Sequence, residues 1–165
     1  MLRTMTTAYI ALGSNQGQRQ TALRAALARI AEIPGTRVLT VATFRETLPV
    51  DCPPNTRRFV NSAASVETTL NMNELLKRLL KIECDLGRPR PSQVNESRLI
   101  DLDLLLYGDA VSSTPDLVIP HPRMHLRRFV LEPLAEIAPE VRHPVLGKTV
   151  QELLADLPPD DERNV

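Results

Sequence analysis

The sequence predicts a single α+β domain: an antiparallel sheet with helices packed on it. Three observations predict it. Short β-branched or apolar runs alternate with amphipathic stretches in the order β-α-β-β-α-β. No repeat, linker or low-complexity segment divides the 165 residues, a length that suits one domain. The composition, 42% hydrophobic and 24% charged, is that of a chain able to bury a core. The element order is that of the ferredoxin-like split βαβ arrangement, with helices expected on one face and a helical appendix after the last strand. Residues 1–6 and 158–165 read as flexible tails.

Each element has a local cause. Thr7 to Gly13 is an apolar run that ends in Gly13-Ser14-Asn15 and reads as a buried strand followed by a turn. Leu23, Ala26, Leu27, Ile30 and Ile33 fall at helical spacing within residues 18–33, and Pro34-Gly35 stops that helix. Thr36 to Phe44 reads as a second strand. Leu48 to Arg58 holds Pro49, Pro53 and Pro54 and reads as a long loop. Phe59 to Thr68 reads as a third strand. Asn71 and Glu74 have the spacing of a capping box, and Leu75, Leu76, Leu79, Ile82, Glu83 and Leu86 continue the helix to Gly87. A polar stretch from Arg88 to Arg98 precedes the clearest strand, Leu99 to Tyr107. Residues 110–125 are a Pro-punctuated loop with a short strand near Val118. Arg127 to Ile137 and Lys148 to Leu157 read as further helices.

Composition excludes some functions. Twenty basic and twenty acidic residues give a net charge of zero, which removes any bulk electrostatic case for nucleic acid or an anionic membrane. No apolar stretch reaches the ~18 residues of a membrane span. Cys52 and Cys84 form no metal pattern, and no signal peptide is read at the N-terminus, so free thiols in a reducing cytoplasm are expected.

The sharpest chemical feature is Asp101-Leu102-Asp103. On a strand, residues i and i+2 share a face, about 6.6 Å apart. Ile100, Leu102, Leu104 and Leu106 then form the core face, and the two carboxylates share the other. Two readings fit: solvated acids that each pair with an Arg, or a hard divalent cation such as Mg²⁺, which is commonly held by one or two carboxylates and substrate phosphates. Arg88, Arg90 and Arg98 upstream, with His121, Arg123, His125, Arg127 and Arg128 downstream, supply the cations that a polyphosphate requires. Pro120 and Pro122 fix the backbone on both sides of His121. Phe59 and Asn61 also share a strand face, where a ring and an amide can stack on and hydrogen-bond a flat heterocycle; Phe129 offers a second aromatic wall. No Walker loop is present.

These motifs resemble the 6-hydroxymethyl-7,8-dihydropterin pyrophosphokinase family. The pieces that carry the resemblance are A-Y-I-A-L-G-S-N at 8–15, F-V-N-S-A at 59–63, R-L-I-D-L-D-L-L-L-Y-G at 98–108, I-P-H-P-R-M at 119–124 and R-R-F-V-L-E-P-L at 127–134. The resemblance implies a ferredoxin-like fold and transfer of the β,γ-pyrophosphoryl group of ATP to the pterin hydroxymethyl oxygen, giving AMP, in folate biosynthesis. It implies two Mg²⁺ on Asp101 and Asp103, with Arg88 and Arg98 as the other catalytic residues. ATP would meet Glu83, Arg90, Arg98, His121 and Arg127. The pterin would meet Leu48, Val50, Phe59, Asn61 and Phe129, with the loops at 48–58 and 88–98 closing over both substrates. The partners expected are these two small molecules, with no nucleic acid or membrane, for a cytoplasmic monomer.

One stretch departs from the family. Where its members carry an Arg-Trp pair before the Arg that matches Arg98, this chain reads Val94-Asn95-Glu96-Ser97. The departure removes a cation and an aromatic anchor and adds a negative charge, so a lower rate is expected. The alternative is a divergent paralogue that binds pterin or nucleotide with weak or altered activity. A small RNA-binding module is a third class, disfavoured by the neutral charge and the lack of paired RNP-type aromatics.

Overall fold

The computed structural model describes residues 4–15, 18–47, 58–87 and 99–159. Its main sheet is antiparallel, in the order β2 (Thr36–Val41), β4 (Phe59–Thr68), β1 (Thr6–Ser14), β5 (Asp101–Tyr107), and the short β3 (Arg45–Thr47) also pairs with β4. A separate hairpin joins β6 (Ser112–Thr114) to β7 (Leu117–Ile119). The helices are α1 (Arg19–Ala31), α2 (Met72–Asp85), α3 (Arg128–Ile137) and α4 (Val150–Ala155), with a 3₁₀ turn at Met124–Leu126.

The predicted elements are present, with differences at their ends. β1 continues through Ser14, where a turn was expected from Gly13 onward. Ser14 pairs with Val60, and its hydroxyl donates to the Leu99 carbonyl, so the strand is held for its last residue. The expected strand over 36–44 is broken. It ends at Val41, and the chain rejoins the same edge of β4 as β3, which the sequence did not mark. The detour is fixed from outside the sheet. Glu136 on α3 accepts from the Thr43 amide (2.8 Å), the Thr43 hydroxyl (3.1 Å) and Arg45 (2.9 Å). The α2 capping box forms as read: Asn71 Oδ1 accepts from Glu74 N and Glu74 Oε1 from Asn71 N. Gly87 follows the helix at φ 108, a left-handed conformation that favours glycine.

Two apolar clusters sit on opposite faces of the sheet. On one face Leu23, Ala26 and Ile30 of α1 and Leu75, Leu79 and Ile82 of α2 pack against Ile10, Leu12, Val60, Val66, Leu102 and Leu104. That is the face the ferredoxin-like pattern covers. The appended helices do not join it. Val130, Leu131 and Leu134 of α3, with Val150 and Leu153 of α4, pack on Ala11, Ala63, Leu105 and Leu106 on the opposite face. The helices therefore lie on both faces, because β1, β4 and β5 are apolar on both sides along half their length. The small side chains Ala11 and Ala63 let α3 sit close.

The predicted core face of β5 is correct for Ile100, Leu102 and Leu104 but not for Leu106. Tyr9 pairs with Leu106 and Ile10 with Leu104, so Leu105 is an extra bulge residue. The bulge moves Leu106 into the α3-side cluster and turns Tyr107 toward the first, where its hydroxyl donates to the Leu70 carbonyl at 2.6 Å.

The turn before α4 is organised by His143, which is 5% exposed. Its Nδ1 accepts from the Val145 and Leu146 amides at 3.2 and 3.1 Å, and its ring meets His125 edge-on. Burial, and then the neighbouring His125, hold the imidazole below its ordinary value of 6.5. Protonation is therefore easier in the unfolded chain. The stability is fully present above about pH 6.5 and falls as the pH drops from there toward the folded value, by at most about 1.4 kcal/mol per pH unit. Urea denaturation at pH 7.5 and 5.5 should show this loss in the wild type and a smaller pH slope in His143→Gln, which starts from lower stability. Equal slopes would contradict the assignment.

Candidate active site

Where α3 stops covering the sheet, the same face turns polar. Register places Ala63, Ala11 and Asp103 side by side on β4, β1 and β5. The next same-face row is Asn61, Gly13 and Asp101. Because Ile100, Leu102 and Leu104 are locked in the α1/α2 core, Asp101 and Asp103 must project to this opposite face. Both are half-buried. Asp103 makes no side-chain hydrogen bond or ion pair with the described residues, and its carboxylate acts electrostatically on the His121 imidazole. Among the described residues no third His, Cys, Asp or Glu joins the two carboxylates to form a closed metal cage.

Gly13 is required at the centre of the row. A Cβ there would stand 2.8 Å from Asn61 Oδ1. Asn61 is buried, and its Nδ2 donates to Thr47 Oγ1 on β3. Phe59 stands two residues before Asn61 and is half-buried on the same strand face. Phe129, in the first turn of α3, packs partly against the α3-side cluster, and the Arg127 guanidinium lies over its ring at 5.6 Å.

β5 is an edge of the sheet, and its outer side forms a second feature. Glu83 reaches across from α2, 3% exposed, and Oε2 accepts from the Leu102 amide at 2.8 Å. The His121 amide donates to the Leu105 carbonyl at 2.9 Å. Between these two points lies a cleft of about 260 Å³. Leu76, Leu80, Leu102, Leu117 and Val118 make its apolar walls, and Glu83, Asp103, Asp116 and His121 its polar lining. Asp103 thus borders both the cleft and the polar face. His121 Nδ1 accepts from the Arg123 amide at 3.2 Å, which leaves the proton on Nε2. Burial holds this imidazole below its ordinary value of 6.5; the Asp103 carboxylate pulls the other way, and Arg127 and Arg123 reinforce the lowering. The ring is therefore a neutral N–H donor at pH 7.

The structure brings together Asp101, Asp103, Asn61, Phe59 and Phe129 on the α3-side face, and Glu83 and His121 in the edge cleft. Arg127 stands over Phe129 and does not line the cleft. Leu48, Val50, Arg88, Arg90, Arg98 and the Val94–Ser97 stretch lie outside the described residues. Sequence reasoning missed Thr47, whose only signal is its position just before the Pro-rich stretch. It also missed Arg19 as a tie between strand ends. Arg19 Nη1 donates to the Arg58 carbonyl (2.7 Å) and Nη2 to Glu46 (3.2 Å), joining α1 to β3 and to the residue before β4.

Residues 9–139 match the family model described as 7,8-dihydro-6-hydroxymethylpterin-pyrophosphokinase (HPPK). The chain belongs to this family. Among curated relatives of this HPPK chain, a 2-amino-4-hydroxy-6-hydroxymethyldihydropteridine pyrophosphokinase of Pseudomonas aeruginosa is 39% identical over 91% of each chain. The protein of that name from Bacillus subtilis is 44% identical over 81% of this chain and 79% of its own. The fold is similar to that of wild-type Plasmodium falciparum HPPK-DHPS with pteroate, at a TM-score of 0.71 and 15% identity, over 94% of this chain and 43% of that one. The chain therefore spans less than half the length of that solved structure.

Glu83 gives a direct test of how the edge of β5 is held. Glu83→Leu leaves the buried Leu102 amide without an acceptor and should cost about 1–3 kcal/mol in urea denaturation. Glu83→Gln keeps an acceptor oxygen and should cost less. Equal losses would show that the hydrogen bond to Leu102 is not what holds the edge.

Proposed function

We propose that this HPPK-family protein transfers the β,γ-pyrophosphoryl group of ATP to the hydroxymethyl oxygen of 6-hydroxymethyl-7,8-dihydropterin, giving AMP and the pterin diphosphate, in cytoplasmic folate biosynthesis. The family membership supports the reaction class. The observation that carries the assignment of roles is Asp103, which borders a cleft on one side and a polar face with Asn61 and two phenylalanines on the other. Two substrates in those two places would meet at the aspartate pair.

The donor set fits Mg²⁺. Two carboxylates on one face, with no third protein ligand among the described residues, suit a hard cation that completes its shell with water and substrate oxygens. When bound there, Mg²⁺ would neutralise phosphate charge and orient the transferred group. Asp101 and Asp103 would hold it, as two ions in the family pattern. The protein's remaining task is positioning, since phosphoryl transfer needs little covalent help. In the cleft, the apolar walls suit a nucleobase, and the neutral His121 Nε2 proton suits a phosphate oxygen. Phe59 and Phe129 would flank the pterin, and the Asn61 carbonyl oxygen would accept from its edge. Arg127, held over Phe129, would link the stacked ring to the phosphates. By the family resemblance, Arg88, Arg90 and Arg98 would supply further cations, and Leu48 and Val50 would close on the pterin.

AMP release that requires both substrates tests this reading; release from ATP alone, or none at all, overturns it. Asp101→Asn and Asp103→Asn should each lower turnover by roughly a hundredfold or more, because each removes a charge from the phosphate site. Phe129→Ala should raise the pterin KM by roughly tenfold with a smaller effect on ATP. We also propose that the Val94–Ser97 departure lowers the rate. The double substitution Val94→Arg, Asn95→Trp should then raise turnover by roughly tenfold or more, and an unchanged kcat would contradict that role.

A further inference from the structure

Asp116 lines the edge cleft, and the proposed reaction leaves it without a task. It stands in the two-residue turn Pro115-Asp116 that joins β6 to β7. The turn is pinned by the residue that follows it. The Leu117 amide donates to Thr114 Oγ1 at 3.2 Å, and the Leu117 carbonyl accepts from the Ser112 and Thr114 hydroxyls at 3.3 and 3.2 Å. The Leu117 side chain is buried in the α1/α2 cluster. Asp116 itself is exposed, and its carboxylate makes no hydrogen bond or ion pair with the described residues. Asparagine or serine would serve such a turn as well. Turn chemistry alone therefore does not call for a negative charge on the wall of a cleft that takes a triphosphate.

We infer that the Asp116 carboxylate accepts from the 2′- and 3′-hydroxyls of the nucleotide's ribose, which makes the cleft selective for ribonucleotides. The inference deepens the proposed reaction and rests on it, because it takes the nucleotide to lie in this cleft. The order of the lining residues carries it. Leu117 and Val118 of β7 follow Asp116 along one wall, and His121 comes after them. The three residues of β7 span roughly 10 Å, which sets Asp116 apart from His121 and the phosphates it meets. That separation spares the triphosphate a like charge at contact distance and leaves Asp116 beside the nucleoside. The apolar walls suit the flat faces of the base. The sugar then remains, with two adjacent donors and no partner. A carboxylate is an acceptor with two oxygens, so it suits a pair of vicinal hydroxyls and repels a phosphate. Acidic side chains hold a ribose hydroxyl in this way in dinucleotide-binding folds. The other acids of the cleft are engaged elsewhere: Glu83 Oε2 accepts from the Leu102 amide, and Asp103 belongs to the aspartate pair.

The test is calorimetry of the whole protein with Mg²⁺ and, in turn, ATP, 2′-deoxy-ATP and 3′-deoxy-ATP, without the pterin, so that no acceptor for transfer is present. The wild type should prefer ATP over each deoxy analogue by roughly tenfold. Asp116→Ala should weaken ATP more than either analogue and bring both ratios close to one. Asp116→Asn, which keeps one acceptor oxygen and suits the turn, should retain part of the preference. A wild type without the preference, wild-type ratios in Asp116→Ala, or equal weakening of all three nucleotides overturns this inference and leaves the reaction standing. Tighter binding of all three by Asp116→Ala, the result of removing a bare negative charge near phosphates, does the same. A wild type that binds none of the three overturns both.

Discussion

The strand alternation of β5 is the constraint on which the rest depends. Three apolar residues, Ile100, Leu102 and Leu104, are buried among α1 and α2, each at 4% exposure or less. Burial of side chains that size is worth roughly 1.5–3 kcal/mol apiece, far more than the cost of bringing two carboxylates to one face of a strand. The core therefore dictates where Asp101 and Asp103 point. A one-residue slip would bury both acids and expose the leucines, so fold and site share a single register. The bulge at Leu105 comes just after the acids. It lets the same strand feed the α3-side core with Leu105 and Leu106 without disturbing the pair.

The second face of the sheet is divided along its strands. Toward one end, Ala11, Ala63, Leu105 and Leu106 are sealed by α3 and α4. Toward the other, Asn61, Gly13 and Asp101 replace them in the same alternation. The boundary is sharp because α3 begins at Arg128 and carries Phe129 in its first turn. The same helix sends Glu136 back to Thr43 and Arg45, fixing the break between β2 and β3. That break brings Thr47 to Asn61. The appended helix thus closes half the face, places Phe129 beside the open half, and holds the strand whose Thr47 hydroxyl is hydrogen-bonded to Asn61.

The sequence made much of this readable, and what it concealed has a physical reason. Periodicity of two in β5 and of 3.6 in α1 and α2 identified the elements and one core face. The Asn71–Glu74 spacing marked a helix start that the structure reproduces atom for atom. Asp101, Asp103, Asn61, Phe59 and Phe129 were legible because polar or aromatic side chains interrupt or border apolar runs. Leu106 was misplaced because a bulge leaves no local signature in an unbroken row of leucines. The second helical face was missed because alanines at 11 and 63 serve equally well in either layer. Thr47, Gly13 and Glu136 act across strands and helices remote in sequence, and no local pattern records such contacts.

The central claim is that the aspartate pair binds a divalent cation that carries the triphosphate. Calorimetry with a non-hydrolysable ATP analogue, run with Mg²⁺ and again with EDTA, tests it most directly. The account predicts tight binding by the wild type only with Mg²⁺, and weak binding, indifferent to Mg²⁺, when Asp101 and Asp103 are both replaced by Asn. Equal affinity in Mg²⁺ and EDTA for the wild type, or an unchanged Mg²⁺ requirement in the double variant, would contradict it.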